Sequence, residues 1–135
     1  MDIHRPYIKE MSKDETVVGF CNDLNSLFET WTIPEWTAHD NRTILFIDSL
    51  EHLTHERAER LVRHTIGAAT RVLIFAPIGF HDNQISDGNH YQLHLSEWQP
   101  KDLEKFGFSV LPDLHFHCTN PPEKQAAMFA RWDRP

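Results

Sequence analysis

The hydrophobic pattern is clearest in the middle of the chain, where it predicts a strand, a helix and a second strand. Ile44–Ile47 is continuously apolar, which is typical of a strand buried on both faces of a parallel sheet. Val72–Ala76 is a second apolar run, and Pro77 ends it. Between the two runs, apolar residues recur with the spacing of one helical face, at Ala58, Leu61, Val62, Thr65, Ile66 and Ala69. A strand, an amphipathic helix and a strand within about thirty residues predict a right-handed parallel βαβ unit.

The pattern after the polar loop at residues 78–95 predicts one more helix and two more strands. Pro100 begins the helix, because proline is tolerated in a first helical turn, and Gly107 stops it. A strand follows, and Pro112 predicts a bulge or a sheet edge within it, since proline donates no ladder hydrogen bond. Residues 126–132 form the last predicted strand, which returns beside the previous one.

The first 41 residues carry a weaker pattern. Pro6 marks the first turn of a short helix, and Thr16–Phe20 is a short apolar strand. Residues 31–41 contain Pro34 and two tryptophans among polar residues, which is typical of a loop that packs on something. The alternation of strands and helices along the whole chain predicts an α/β protein.

Length and composition indicate one globular domain. The chain has 135 residues, of which 40% are hydrophobic and 24% are charged, as in ordinary soluble domains. No apolar run approaches the ~18 residues of a membrane span, and the first residues do not form a signal peptide. Cys21 and Cys118 stand far apart without a C-x-x-C motif, so the sequence predicts a cytoplasmic protein with two thiols.

The charge balance argues against two classes of partner. Twenty acidic residues against thirteen basic ones give a formal net charge of −7. A negative chain lacks the broad electrostatic grip that nucleic acid and anionic membranes require, so we expect neither as a partner. A local basic patch is still compatible with this total, and the charge makes a long polynucleotide unlikely without excluding an RNA terminus as a substrate. Ten histidines are a high count, and some of them could converge on a metal.

Two carboxylates and an imidazole directly follow the strand Ile44–Ile47, at Asp48, Glu51 and His52. Because open α/β sheets bind ligands beyond the carboxyl ends of their strands, these residues form a candidate site. Carboxylates and imidazoles suit Mg²⁺, Mn²⁺ or Zn²⁺. The alternative is that Glu51 favours the N-terminus of the following helix, or that both it and His52 hydrogen-bond to backbone in the turn.

Three motifs, in this order, resemble those of the class I S-adenosylmethionine-dependent methyltransferases. Asp48–Leu53 resembles the family's D-x-x-E-H-L motif after the fourth strand, and Phe75–Gly79 resembles the T-P-N-G end of the fifth. Residues 91–108 resemble the family's H-x-x-x-W helix and sixth strand. The resemblance implies a Rossmann-like methyltransferase sheet in a single domain over residues 1–135. That sheet would be mostly parallel, with an antiparallel C-terminal edge strand.

The resemblance also implies an S-adenosylmethionine site at three aspartates. Asp2 matches the acid that accepts hydrogen bonds from the ribose hydroxyls of the cofactor, and Asp23 matches the acid beside its adenine amino group. Asp48, at the end of the fourth strand, completes the predicted cofactor-binding set. The alternative for Asp2 and Asp23 is an ordinary aspartate in a turn or at a helix N-cap.

One part of the family pattern is absent from this sequence. The family's first strand and its Gly-rich turn should precede Met1, and all five glycines lie elsewhere. The resemblance therefore implies an N-terminally truncated domain whose Thr43–Ile47 strand exposes an apolar edge. The chain is a fragment, or strand two pairs directly with strand four, or another chain covers the edge. We expect a homo-oligomer or an N-terminal extension at this edge.

Two subgroups of the family bind a divalent cation through an acid-x-x-Glu-His motif. They are the ubiquinone-pathway O-methyltransferases and the small-RNA 3′-terminal 2′-O-methyltransferases, and the second adds a histidine from a downstream R-H-x-x-H-x-F-E-W-like segment. The matching residues here are Asp48, Glu51, His52 and His94, with His90 as the alternative to His94. These four are also the predicted catalytic residues, because a cation would hold a substrate hydroxyl and lower its pKa. Many small members of the family carry a Glu-His pair at this position and need no metal. The alternative that Glu51 and His52 only hydrogen-bond to backbone in the turn therefore stays open.

Three functions are compatible with these residues. The first is S-adenosylmethionine-dependent O-methyl transfer to a small molecule or sugar. The second is a non-catalytic, truncated methyltransferase fold that serves as an interaction or dimerisation module, which the absent Gly-rich turn favours. The third, based on residue types alone, is a divalent-metal hydrolase. Binding of the cofactor would separate the first from the second, and a stoichiometric metal without cofactor binding would favour the third.

Overall fold

A four-stranded mixed sheet with helices forms the framework of this computed structural model, which describes residues 42–79, 90–118 and 124–135. Its strands are β1 (Thr43–Ile47), β2 (Arg71–Pro77), β3 (Ser109–Cys118) and β4 (Lys124–Asp133). Its α-helices are α1 (His55–Ala68) and α2 (Pro100–Glu104), and two short 3₁₀ helices span Leu50–His52 and His90–Gln92. The helix predicted at Pro6, the strand predicted at Thr16–Phe20 and the loop predicted at 31–41 lie outside the described residues.

The strands follow one another across the sheet in the order β1-β2-β4-β3. β1 and β2 pair in parallel on either side of α1, which confirms the predicted βαβ unit and the α/β class. β4 is antiparallel to β2 and to β3. One of the three described strand pairings is therefore parallel, whereas the predicted sheet was mostly parallel. The last strand is antiparallel as predicted, but it lies inside the sheet and not at its edge. It pairs with β2 from Arg71↔Asp133 to Pro77↔Ala127, which leaves the outer position to β3.

β3 has the features of an edge strand. Pro112 lies opposite Met128 in the ladder with β4, and an edge is where a strand tolerates a residue without an N–H group. The register shifts between Asp113 and His117, which confirms the irregularity predicted near the proline. Upstream, α2 is followed by a turn in which Gly107 has a φ of +86°, a conformation that glycine adopts without strain.

The core lies between the helices and one face of the sheet. On α1 the predicted apolar face is confirmed, because Ala58, Leu61, Val62 and Thr65 are buried. On the strands, alternate residues point toward the same core, as period-two side-chain geometry requires. These sheet residues are Phe46, Val72, Ile74, Ala76, Met128 and Ala130. Leu103 of α2 and Trp98 join them, so both described α-helices pack on this inner face.

The opposite, outer face of the sheet is apolar and exposed. Leu45 and Ile47 retain 56% and 55% of their accessible surface. The prediction that this strand is buried on both faces is therefore wrong within the described residues, because the described helices cover only one side. An open apolar groove of about 560 Å³ crosses the outer face. Phe75, Phe116 and Phe129 form an aromatic cluster there, with ring centroids 4.8 to 5.5 Å apart.

No helix in the described ranges is both long and apolar enough to cross a membrane. Most of the polar loop predicted at 78–95, residues 80–89, lies outside those ranges.

Neighbouring residues of β1 provide a test of this one-sided packing. We expect Phe46→Ala to lower the free energy of unfolding by about 3–5 kcal/mol, because it opens a cavity in the core. Leu45→Ala, one residue away on the outer face, should cost less than about 1 kcal/mol, as exposed positions do. Denaturant unfolding of the full chain measures both costs. Comparable losses in the two variants would contradict the exposure of the outer face.

Candidate metal centre

The turn after β1 delivers the first two side chains of the site. Asp48 takes a left-handed backbone conformation with a φ of 42°, which aspartate tolerates better than most residues. Its backbone N–H donates to the Phe75 carbonyl oxygen of β2 at 3.0 Å, so the turn is attached to the neighbouring strand. The chain then enters the 3₁₀ helix Leu50–His52, which presents Glu51 and His52 beyond the carboxyl end of the strand.

A second segment, residues 93–98, lies against this turn and supplies His94. The backbone N–H groups of Leu95 and Ser96 both donate to the Glu51 carbonyl oxygen, at 2.7 and 3.1 Å. Leu95 and Ser96 are far from Glu51 in the sequence, so these are tertiary hydrogen bonds. They bring His94 beside Glu51 and His52.

Glu51, His52 and His94 form a compact group of potential ligands. Each offers one ligand atom, and these atoms all lie within 4.8 Å of one another. His52 Nε2 is 4.0 Å from Glu51 Oε1. The rings of His52 and His94 meet edge to face, with their centroids 5.0 Å apart and 65° between their planes. A carboxylate and two imidazoles at these separations can share one divalent cation.

A backbone carbonyl orients the ring of His52. Its Nδ1 lies 3.1 Å from the Leu93 carbonyl oxygen. Because a carbonyl oxygen only accepts hydrogen bonds, Nδ1 is the donor in this contact, and in the neutral ring the lone pair is then on Nε2. Nε2 is the atom that lies near Glu51 Oε1. Metal-binding histidines are usually oriented in this way, with the second nitrogen donating to a backbone carbonyl or a carboxylate.

The carboxyl group of Glu51 is in an unusual electrostatic environment. The residue is only 2% exposed, and its Oε2 is buried without a hydrogen-bond partner. Burial raises the pKa of Glu51 from its ordinary 4.5 to about 7, with a hydrogen bond to backbone opposing the shift and the charge of Asp48 adding to it. A buried carboxylate oxygen that lacks a partner is costly, and a cation would satisfy it.

The other predicted site residues fall outside this group. Asp48 is exposed and is not one of the three residues whose ligand atoms converge. His90, the alternative to His94, is exposed in its own 3₁₀ helix and is likewise outside the group. Asp2 and Asp23, predicted to bind the cofactor, lie outside the described residues. The structure thus brings together three of the four predicted ligands.

Two contributors to the site were not found in the sequence. The Leu93 carbonyl is a backbone group, and no residue type predicts which carbonyl will face a histidine. Ser96 is polar but buried, and nothing in its neighbourhood in the sequence marks it as a partner of the turn at Glu51. Trp98, the tryptophan of the H-x-x-x-W motif, is buried.

No protein-family model and no curated protein sequence matches this chain. Solved structures do resemble it. A crystal structure of the methyltransferase domain of bacterial CtHen1-C superposes with a TM-score of 0.52 at 14% identity, covering 97% of this chain and 69% of that one. At this identity the likeness shows the fold, which is the Rossmann-like fold of class I methyltransferases. The resemblance proposed from the sequence is confirmed at that level.

Two further structures are more loosely similar. The Pnkp1/Rnl/Hen1 RNA repair complex gives a TM-score of 0.43 at 17% identity, covering 96% of this chain and 34% of that one. The methyltransferase domain of bacterial CtHen1-CN gives 0.40 at 20% identity, covering 75% of this chain and 56% of that one.

The expectation that nucleic acid is an unlikely partner is wrong. The protein whose domain shares this fold, Hen1, is itself found in an RNA repair complex. The expectation came from the net charge, which averages over the whole chain and does not describe the surface around one site. The expectation of O-methyl transfer to a small molecule or sugar, which no comparison tests at that level, stays a prediction.

The pKa of Glu51 predicts how the stability of the metal-free protein changes with pH. The folded state retains a proton on Glu51 up to about pH 7, whereas the unfolded chain releases it near 4.5. Stability contributed by this carboxyl group is therefore fully present below about pH 4.5 and is lost by about pH 7, a change of about 3 kcal/mol. We expect the unfolding free energy of the wild type, relative to that of Glu51→Gln, to fall by this order across that window.

Denaturant unfolding in the presence of a chelator, at several pH values, measures this difference. The glutamine variant is the matched control because its side chain does not titrate. A difference between the two proteins that stays constant with pH would show that Glu51 is not desolvated in the folded state.

Proposed function

We propose that this domain uses a divalent cation in S-adenosylmethionine-dependent methyl transfer to a ribose hydroxyl at the end of an RNA. The observation that carries the proposal is the convergence of Glu51, His52 and His94 beyond the carboxyl end of β1. The downstream histidine segment of the RNA-modifying subgroup resembles the region of His94 and His90 here, and of these two residues His94 is the one in the converging group. The Hen1 structures, one of them from an RNA repair complex, support the same substrate class.

The residues present fit a divalent cation. Glu51 Oε2 is buried without a partner, and Nε2 of His52 is available because Nδ1 is engaged by Leu93. One carboxylate and two imidazoles suit Mn²⁺ or Zn²⁺ better than Mg²⁺, which prefers oxygen ligands. Glu51, His52 and His94 would hold the cation, and Asp48 remains a proposed additional ligand near the same edge. When bound, the cation supplies positive charge that lowers the pKa of a nearby hydroxyl group.

The protein's own residues fix where that hydroxyl would bind. Glu51 is held by its carbonyl group and His52 by its ring nitrogen, so neither ligand has to be ordered when substrate arrives. Methyl transfer forms an oxygen–carbon bond, breaks the sulfonium–carbon bond of the cofactor and releases the hydroxyl proton. An enzyme contributes positioning and assistance with deprotonation to such a reaction.

The proposed cofactor site depends on the fold and on three aspartates, Asp2, Asp23 and Asp48. The class I methyltransferase fold supports S-adenosylmethionine as the methyl donor. Asp48 stands at the strand edge where open α/β sheets bind ligands, and it is proposed to contact the cofactor. Asp2 and Asp23 keep the roles that the resemblance gave them, as proposals.

A second candidate function is a non-catalytic module with the same fold. The specific observation in its favour is that none of the five glycines belongs to a G-x-G-x-x-G turn of the kind that approaches a cofactor closely. The two candidates differ in whether this chain binds S-adenosylhomocysteine.

Metal binding can be tested by titrating Mn²⁺ into the full chain in a calorimeter. We expect one site per chain, and we expect His94→Ala and Glu51→Gln each to weaken binding by at least about tenfold, because each removes a ligand. His90→Ala is the matched control, since His90 lies four residues away on an exposed surface, and it should bind as the wild type does. Loss of binding in His90→Ala with retention in His94→Ala would contradict the assignment of the third ligand.

The reaction itself can be tested with methyl-labelled S-adenosylmethionine and a short RNA. We expect Mn²⁺-dependent labelling of an RNA whose 3′-terminal ribose has a 2′-hydroxyl, and none of the same RNA with a terminal 2′-deoxyribose. A folded chain that neither binds S-adenosylhomocysteine nor labels RNA would exclude catalysis by this chain and favour the non-catalytic module.

A further inference from the structure

A buried hydrogen-bond chain runs from Trp98 to the turn that carries Glu51. Trp98 Nε1 donates to Ser96 Oγ at 3.0 Å, and Ser96 Oγ donates to the Leu50 carbonyl oxygen at 3.2 Å. Trp98 is 1% exposed and Ser96 is 7% exposed. Because the serine hydroxyl accepts one hydrogen bond and donates the other, its proton is directed at the turn. Water does not compete freely for groups buried to this extent.

The backbone of the same segment adds to this connection. The amides of residues 95 and 96 donate to the Glu51 carbonyl oxygen, and the Ser96 hydroxyl donates to that of Leu50. Two consecutive carbonyl groups of the 3₁₀ helix Leu50–His52 are thus bound by this segment. His94 immediately precedes these residues, and its ring lies against His52. The position of His94 relative to the other two ligands therefore depends on how firmly this segment is attached to the turn.

Trp98 gives the segment a rigid support. Its carbonyl oxygen accepts a hydrogen bond from the Gly79 N–H at 2.8 Å, which connects it to the end of β2. Its ring stacks on His55 of α1, with centroids 4.7 Å apart and 23° between the planes. Contacts on several sides leave the indole little freedom, so its Nε1–H holds Ser96 Oγ in one orientation.

We infer that Ser96, oriented by Trp98, is a positioning residue that sets the place of His94 in the metal centre. This inference rests on the proposed metal-dependent function. Ser96 touches neither the cation nor the substrate in this scheme. It holds two backbone segments together. One is the turn at Leu50, to which its hydroxyl donates, and the other is its own segment, which carries His94.

Four variants separate positioning from a contribution to stability alone: Ser96→Ala, Trp98→Phe, the two combined, and a control. Ser96→Ala removes the link to Leu50 and leaves the Trp98 donor buried without a partner, which also lowers stability. Ser96→Ala combined with Trp98→Phe removes that unpartnered donor, so part of the stability should return while the link stays broken. Phe108→Leu is the control, because it removes part of a buried core side chain that lies outside residues 93–98.

We expect the Mn²⁺ affinity to fall about tenfold in Ser96→Ala and to remain low in the double variant, as it does when supporting residues of metal sites are removed. Trp98→Phe alone should weaken binding less, because the serine hydroxyl can still reach Leu50. Phe108→Leu should bind Mn²⁺ as the wild type does. Recovery of affinity together with stability in the double variant would overturn the inference, because affinity would then simply follow stability.

A measurement without metal keeps this test separate from that of the proposed function. Amide hydrogen exchange of Leu95 and Ser96, followed by NMR in the metal-free protein, reports directly on the attachment to Glu51. We expect exchange of the amides at positions 95 and 96 to accelerate about tenfold in Ser96→Ala, while the amide of Ala69, which donates to Thr65 of α1, stays unchanged.

If the wild type binds no metal, the metal-dependent function fails, and this exchange alone decides whether Ser96 positions the segment. Unchanged exchange at Leu95 and Ser96 would overturn the inference whether or not metal binds.

Discussion

The structure of the site depends on one peptide group, that of Glu51. Its carbonyl oxygen accepts two backbone hydrogen bonds from a distant segment, and this contact is what places His94 beside His52. The carboxyl group of the same residue is buried with one oxygen unpartnered. A desolvated acid therefore lies where residues 93–98 meet the turn after β1, and such acids are found especially at functional sites.

The sheet divides the molecule into two unlike sides. Its inner face packs on α1 and α2 around a continuous core, which holds the ends of β1 and β2 in place for the site. Its outer face presents Leu45, Ile47 and a cluster of phenylalanines to the surroundings. An apolar surface of this kind is uncommon on a folded monomer and usually has a binding role. The candidate metal centre lies beyond the carboxyl end of β1.

Local pattern predicted the parts of the fold that are determined locally. The spacing of Ala58, Leu61 and Val62 was sufficient for α1, and Pro112 was sufficient for an irregular β3, because periodicity and proline act over a few residues. The position of β4 inside the sheet was not predictable in this way. Pairing partners are chosen by tertiary contacts, and both an inner and an edge position are compatible with the same strand sequence.

The candidate site was predictable to a similar extent. Glu51 and His52 follow from a motif within one turn, and His94 came from a downstream segment, with His90 as the competing choice. Asp48 was expected to join them, but the left-handed conformation at its own position sends the chain into the turn while its side chain remains exposed. The burial of Glu51 and the roles of Leu93 and Ser96 depend on contacts across the fold, which no local signal encodes. The strand order also has a consequence for synthesis on the ribosome. β4 lies between β2 and β3, so β3 can join the sheet only once β4, which follows it in the chain, has left the exit tunnel. Until β4 pairs, the edge of β2 that it covers is accessible to chaperones.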